Sequence, residues 1–424
     1  MILSFSVTNY LSFKEKETIS FIANSDSNQR DFYIETHGKY EILKMAGIFG
    51  ANASGKTNLL VAISRLQDLV IDDDQKIEDK IKRPAFEFDQ TSKNRPSTFE
   101  ISFFLEMRFD YKIVFNNNQI LEEELFHYNP NKAKVFHRKV NDIGISKLVF
   151  GSKININNEA VSALKSYLIK NRSLIAAVGK VELGIKELII SRMWFYTYLR
   201  PIFSNNGNFR NLALSLLQKY PELKLNVIEY LKRADYNISD FKIKNMEIPE
   251  EIINQFQPEN NNLVKKIIEQ KEITFNHLIT TGNGQVEYSL YEGLESAGTI
   301  TYFSYAVILS YFQKYNGILI IDEIESSLHP ELFQFFVDSF MLNTKNSQLI
   351  FTSHYLPFLE DQEDIRKDVI WFTNKRDDGS TELYSLKDFA LRKELNFYRA
   401  YKVGKFAAKP ILGSAIVPVS DHEE

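Results

Sequence analysis

The chain has 424 residues, of which 44% are hydrophobic and 25% charged, with 33 Phe and 21 Tyr. This is the composition of a soluble globular protein with a large core, and the length predicts a main domain that carries a sizeable insert. Cysteine is absent, which excludes disulfides and cysteine-ligated metal and fits a reducing, cytoplasmic setting. The net charge of −4 argues against nucleic-acid binding by bulk charge and leaves a local basic face open. Apolar runs such as Gly317 to Ile321 are far too short to span a bilayer, so no membrane partner is expected.

In chain order, Met1 to Val7 and Thr18 to Ile22 read as strands, the first in place of a signal peptide. Met45 to Phe49 is a short apolar run that enters a glycine-bearing loop. Leu59, Ile63, Leu66 and Val70 then mark one face of a helix. Phe99 to Phe103 and Tyr111 to Phe115 predict antiparallel strands, with Asn116-Asn117-Asn118 as a turn before a further apolar run. Residues 155–270 change character. Val161, Leu164 and Leu168 are helically spaced, as are Leu212, Leu216 and Leu217, and Asn205-Asn206 and Asn260-Asn261-Asn262 break the segment. A mostly helical insert without heptads follows, in which Trp194, Phe195 and Tyr196 read as buried strand residues. Buried strands return at Gly317 to Ile321, Gln348 to Thr352 and Val369 to Phe372.

Gly50-Ala51-Asn52-Ala53-Ser54-Gly55-Lys56-Thr57 satisfies G-x-x-x-x-G-K-[ST] at every fixed position, between a strand and an amphipathic helix. Glycines let consecutive N–H groups turn toward phosphate oxygens, and the helix that follows presents its positive end to them. Lys56 is placed to neutralise the β- and γ-phosphates and Thr57 to offer a hydroxyl to Mg²⁺. The candidate nucleotide set is Gly50, Asn52, Ser54, Gly55, Lys56, Thr57 and Asn58.

Ile318 to Ile321 ends in Asp322-Glu323, which delivers two carboxylates to the end of a buried strand. Asp322 reads as the Mg²⁺ carboxylate and Glu323 as the residue that orients water. Glu325-Ser326-Ser327-Leu328-His329-Pro330 continues as a loop beside the site, with Glu325 a further candidate. Pro330 suits a helix start, and His329 reads as the residue that opens that helix. Leu349 to Thr352 leads into Ser353-His354, and His354 is placed to contact the γ-phosphate or the attacking water.

The order Lys56, Asp322-Glu323, His354 resembles the ABC-type ATPases of the SMC/Rad50-like class. The signature segment of that class has its counterpart in Leu294-Glu295-Ser296-Ala297-Gly298-Thr299, which departs from Leu-Ser-Gly-Gly-Gln at Ala297 and Thr299. With Asp-Glu-x-Glu-x-Ser-Leu-His-Pro, Thr-Ser-His, the start Phe5 to Phe13 and the stretch Tyr401 to Pro410, it is similar to the AAA15/AAA21 subgroup. That subgroup includes abortive-infection ATPases and the ATPase part of overcoming-lysogenisation-defect nucleases. The resemblance implies an α/β ABC-type P-loop ATPase head with an antiparallel β lobe and a mostly helical insert. The expected division is 1–154 N-terminal lobe, 155–270 insert, 271–410 C-terminal lobe and 411–424 tail.

It also implies ATP and Mg²⁺ as cofactors, Glu323 and His354 as catalytic residues, and a homodimer or higher homo-oligomer. In that assembly Ser296 and Gly298 bind the γ-phosphate of ATP held by the other subunit. Gln90 either is the glutamine that senses Mg²⁺ and nucleotide between the lobes or is an ordinary loop residue. No nuclease signature is visible, since Asp361, Glu363 and Asp364 are scattered. Three uses of such an ATPase follow: a defence ATPase controlling a separately encoded nuclease effector, a DNA repair ATPase of RecF or Rad50 type, and a slow-turnover scaffold. The second needs a basic face, for which Lys180, Lys186, Arg192, Lys219, Lys224 and Lys232 are candidates.

Overall fold

The computed structural model describes residues 1–141, 143–181, 183–203, 208–234, 236–245, 271–282, 284–326, 328–360, 365–389, 397–404 and 406, the side chains of 200–203 and 208 excepted. The asparagine breaks at 205–206 and 260–262, the end of the expected insert at 246–270, Ser327, the acidic residues 361, 363 and 364, and the stretch 407–424 lie outside these residues.

In chain order the strands used below are β1 (Ile2–Thr8), β2 (Glu17–Ser20), β3 (Met45–Gly50), β4 (Ser97–Leu105), β5 (Met107–Phe115), β6 (Ile120–Tyr128), β7 (Lys132–Val140), β8 (Ser146–Phe150), β9 (Ile238–Asn245), β10 (Lys271–Thr281), β11 (Gly284–Tyr291), β12 (Ile318–Ile321), β13 (Gln348–Ser353), β14 (Ile370–Lys375) and β15 (Thr381–Ser385). The helices used below are α1 (Lys56–Ile71), α2 (Gln90–Asn94), α3 (Asn158–Tyr167), α4 (Leu174–Val178), α5 (Lys186–Met193), α6 (Asn208–Lys219), α7 (Lys224–Arg233), α8 (Ala297–Lys314) and α9 (Pro330–Asn343). The fold is mixed α/β, with the expected P-loop strand and helix at β3 and α1.

Two compact units emerge, one formed by residues 1–201 and 350–424, the other by 202–349. In the first, β8-β7-β6-β5-β4-β1-β2 make an antiparallel sheet. Alternation dictates it: in β4, Phe99, Ile101 and Phe103 turn inward and are buried while their neighbours are half-buried. A second sheet of this unit runs β13-β3-β14-β15, and β3 pairs in parallel with β14, Gly50 opposite Thr373. Burial of β3 on every residue explains its uninterrupted apolar run. Phe49 is wedged among Phe351, Phe358 and Phe372, with ring centroids 6.1 to 6.4 Å away.

The first unit includes α3, α4 and α5. The expected strand at Trp194, Phe195 and Tyr196 is instead a π-helical turn, Trp194–Tyr198, that prolongs α5. Tertiary packing overrides the aromatic strand propensity here. Trp194 stacks on Phe103 at 4.2 Å, Phe195 is also buried, and Tyr196 is 63% exposed. The amide of Gln67, on α1, donates to the carbonyls of Phe195 and Leu199, which satisfies this irregular backbone.

The second unit holds the three-stranded sheet β9-β10-β11 and helices α6 to α9. Its centre is α8, buried on Tyr302, Phe303 and nearly every residue from Tyr305 to Phe312, as expected of a helix that is apolar all round. Among the described residues, no helix is long and apolar enough to cross a membrane.

Candidate nucleotide site

The P-loop closes between β3 and α1 as its motif requires. Gly50 has φ +155° and Gly55 φ +106°. A Cβ on Gly55 would lie 2.1 Å from Thr381 Oγ1, and one on Gly50 would lie 2.5 Å from the Thr373 carbonyl. Only glycine fits either place, and the result is a backbone cradle closed to side chains. Ala53 also takes a left-handed conformation, φ 60°, at the loop's crest. Lys56 is buried and folds back over the loop: its Nζ donates to the carbonyls of Gly50 at 2.9 Å and Ala51 at 3.0 Å. The same Nζ comes within 3.5 Å of His354 Nδ1, at the end of β13. Thus Lys56 and His354, 298 residues apart, converge on one spot. Thr57 and Asn52 are exposed at the loop's open side.

Two of the expected ligands face elsewhere through their side chains. Ser54 Oγ is buried, 2.6 Å from Thr373 Oγ1, so only its backbone is left for a phosphate. Asn58 Nδ2 donates to Ser12 Oγ at 2.7 Å and supports the loop from behind. Sequence reading missed the rest of this support. Thr381 Oγ1 donates to the Ser54 carbonyl at 2.9 Å and lies 2.7 Å from Ser12 Oγ, and the Thr381 N–H donates to the Ser12 carbonyl at 2.8 Å. No local pattern marks Ser12, Thr373 or Thr381, because each finds its partner only after folding. Gln90 is exposed as the first residue of α2, which Asp89 caps from the Thr91 N–H.

In the second unit, β12 is buried throughout, Asp322 is half-buried at its end and Glu323 is exposed. Glu323 has φ 51°, a conformation that costs a non-glycine residue on the order of 1 kcal/mol or more and that clusters at functional positions. Its carbonyl accepts from the Ser326 N–H at 2.8 Å. Tyr305, inside α8, donates to the Ile324 carbonyl at 2.9 Å and holds this turn. Burial, with the Glu325 carboxylate adding to it, pushes the Tyr305 hydroxyl far above its usual range, so it stays a donor. Glu325 is half-buried beside that turn. His329 is the N-cap of α9 with Pro330 at the first position, as the sequence predicts.

Ser296 and Gly298 form the N-terminus of α8. Ser296 is exposed and is the N-cap, its Oγ accepting from the Thr299 N–H at 3.0 Å and lying 2.8 Å from Thr299 Oγ1. Gly298 is half-buried in the first turn. The tip of this helix therefore shows N–H groups and a hydroxyl to the outside, an arrangement suited to an anion.

Residues 45–361 match the AAA_21 family, described as "AAA domain, putative AbiEii toxin, Type IV TA system". The chain belongs to this family. No curated protein matches it. Among solved structures, the SMC head domain from Thermotoga maritima is 11% identical with a TM-score of 0.40, covering 91% of this chain and 98% of that one. An SMC head bound to the C-terminal winged-helix domain of ScpA is 14% identical with a TM-score of 0.41, covering 91% and 97%. An SMC head with an extended coiled coil, bound to the C-terminal domain of ScpA derived from Pyrococcus furiosus, is 14% identical with a TM-score of 0.32, covering 96% and 99%. As an AAA_21 member of ABC-type motif order, the chain is a P-loop ATPase-family protein.

Proposed function

We propose that this chain is an ATP hydrolase that closes around Mg-ATP as a dimer of two copies. The observation that carries the reading is the glycine cradle at 50–57, with Lys56 and His354 aimed at one point above it. The two glycines let the loop backbone close against Thr373 and Thr381, and Thr57 offers a hard oxygen donor of the kind Mg²⁺ prefers, a role that the motif order also gives to Asp322. When bound, Mg²⁺ neutralises charge that gathers on the β- and γ-phosphates. Backbone N–H groups of Gly50 to Thr57 hold the phosphates, and Lys56 exchanges its loop carbonyls for phosphate oxygens. Glu323 orients the attacking water and takes its proton, and His354 contacts the γ-phosphate. Ser296 and Gly298 serve the nucleotide of the other copy, so each complete site draws on two copies.

At a finer level, the family's description points to a toxin–antitoxin or abortive-infection setting. There the chain acts as a sensor ATPase that restrains a separately encoded nuclease. Of the six cations weighed for a basic DNA face, four are held in ion pairs. Lys180 and Arg192 pair with Asp73 at 3.2 and 3.3 Å, Lys186 with Glu106 at 3.0 Å and Lys224 with Asp240 at 2.7 Å.

Titration calorimetry and phosphate release test the enzymatic reading. Lys56→Ala abolishes nucleotide binding. Glu323→Gln keeps binding, lowers turnover by about a hundredfold or more and accumulates an ATP-bound dimer in size-exclusion chromatography. Parental turnover by Glu323→Gln would refute the water-orienting role.

A further inference from the structure

The loop that carries Ser296 is tied to the sheet behind it by two acidic side chains. Strand β11 leaves its ladder at Tyr291, opposite Thr274. The Glu292 side chain then continues the ladder, its Oε1 accepting from the Ile273 N–H at 3.2 Å. Arg210, on α6, grips both carboxylate oxygens: Nε donates to Oε2 at 2.8 Å and Nη2 to Oε1 at 2.5 Å. The same Nη2 donates to the Lys271 carbonyl. Three residues on, Glu295 Oε1 lies 2.6 Å from His277 Nε2, in β10. The Glu295 and His277 side chains are only 9% and 16% exposed. Between these anchors, Leu294 is 73% exposed and so contributes no apolar anchor. The segment's own hydrogen bonding amounts to a single short turn, closed by the Glu295 N–H on the Glu292 carbonyl at 3.1 Å.

We propose that the Arg210–Glu292 and His277–Glu295 pairs are positioning latches. They hold Ser296 and Gly298 where the phosphate of a second copy's ATP must arrive. This rests on the dimer reading given above. A helix tip recognises an anion only when its donors sit within a fraction of an ångström of their places. A loop this short, with its leucine facing solvent, cannot reach that precision by apolar packing. Bidentate arginine–carboxylate pairing supplies direction as well as attraction, and Glu292 spends it on the residue that opens the loop. Glu295 fixes the residue just before the cap. Both pairs lie within the second unit, on the segment that leads into the tip.

The test uses the full chain in the Glu323→Gln background, with ATP-driven dimerisation followed by analytical ultracentrifugation. Binding of a fluorescent ATP analogue to the single chain serves as the reference. Arg210→Ala and His277→Ala are expected to raise the ATP concentration for half-maximal dimer by about tenfold or more, with single-chain affinity unchanged. His277→Gln, which keeps a donor for Glu295, and Arg210→Lys are expected to recover part of the loss. With Glu323 restored, and at an ATP concentration where Arg210→Ala alone barely dimerises, a mixture of Lys56→Ala and Arg210→Ala chains is expected to turn over ATP faster than either alone. One supplies an intact tip and the other an intact P-loop, and an Arg210→Ala chain that merely misfolded could not complement. Dimerisation of all these variants at the parental ATP concentration would overturn the latches while leaving the dimer standing. A Glu323→Gln chain that stays monomeric in saturating ATP would overturn the dimer and the latches with it.

Discussion

Thr381 joins parts of the chain that meet only in the folded state. Its hydroxyl reaches the Ser54 carbonyl inside the P-loop and Ser12, which lies 369 residues away in sequence. Thr381→Val keeps the shape and deletes the hydroxyl. It is expected to cost about 1–3 kcal/mol in chemical denaturation and to weaken ATP binding in calorimetry. Lost stability with unchanged affinity would make the network purely structural. The contrast with Lys56 shows what a sequence can and cannot display at this scale. Lys56 is legible because its chemistry depends on neighbours within eight residues, a spacing the motif itself fixes. Thr373 and Thr381 are not, because their partners are set by the parallel register of β3 on β14 and by the β14–β15 hairpin. In the β14–β15 hairpin, three residues before Thr381, Asp378 carries a shifted charge. It accepts from the Ser380 hydroxyl and N–H and faces Lys14 Nζ at 3.2 Å, and these hold it down to about 2. The folded value lies below the unfolded one near 3.8. Its contribution is therefore complete above that value and is lost as pH falls through about 2. A carboxyl NMR titration is expected to show that midpoint, and removal of the Ser380 hydroxyl to raise it. An Asp378 midpoint near 4 in the parent chain would contradict the contacts.

At the scale of elements, the strongest sequence signals were those where pattern and tertiary role agree. The apolar run of β3 and the spacing of Leu59, Ile63, Leu66 and Val70 produced the strand and helix expected. Ser296 capped α8, and Pro330 opened α9. The segment at Trp194 went the other way, because its aromatics fit a strand locally while the structure demands a place for them against Phe103. What makes the π-turn tolerable is remote: the Gln67 amide, only 6% exposed, donates to the carbonyls of Phe195, inside the turn, and of Leu199, where a strand takes over. Gln67→Leu removes both bonds and leaves two buried acceptors unpaired, at an expected cost of about 2–4 kcal/mol. Because Gln67 lies on the helix that starts at the P-loop, the same variant also tests whether the turn matters to nucleotide binding. Thermal denaturation and fluorescent nucleotide titration separate the two. An unaltered melting temperature would show that these carbonyls find other partners.

For the whole molecule, the question is whether nucleotide works on one chain or on two. A ligand that binds only the folded chain raises its stability by mass action, whatever the protein concentration. A nucleotide that also joins two chains adds a second coupling, since dissociation must precede or accompany unfolding. The melting temperature then rises with chain concentration. In the dimer reading the exposed, capped tip at Ser296 completes the P-loop site of the other chain, which requires this second coupling. In the Glu323→Gln chain with Mg-ATP, the melting temperature is expected to climb by several degrees over a hundredfold rise in protein concentration. With ADP, or with Lys56→Ala under either nucleotide, it is expected to stay level. A flat profile in Mg-ATP, alongside tight ATP binding, would mean that each chain completes its own site. Ser296 would then be no more than a helix cap.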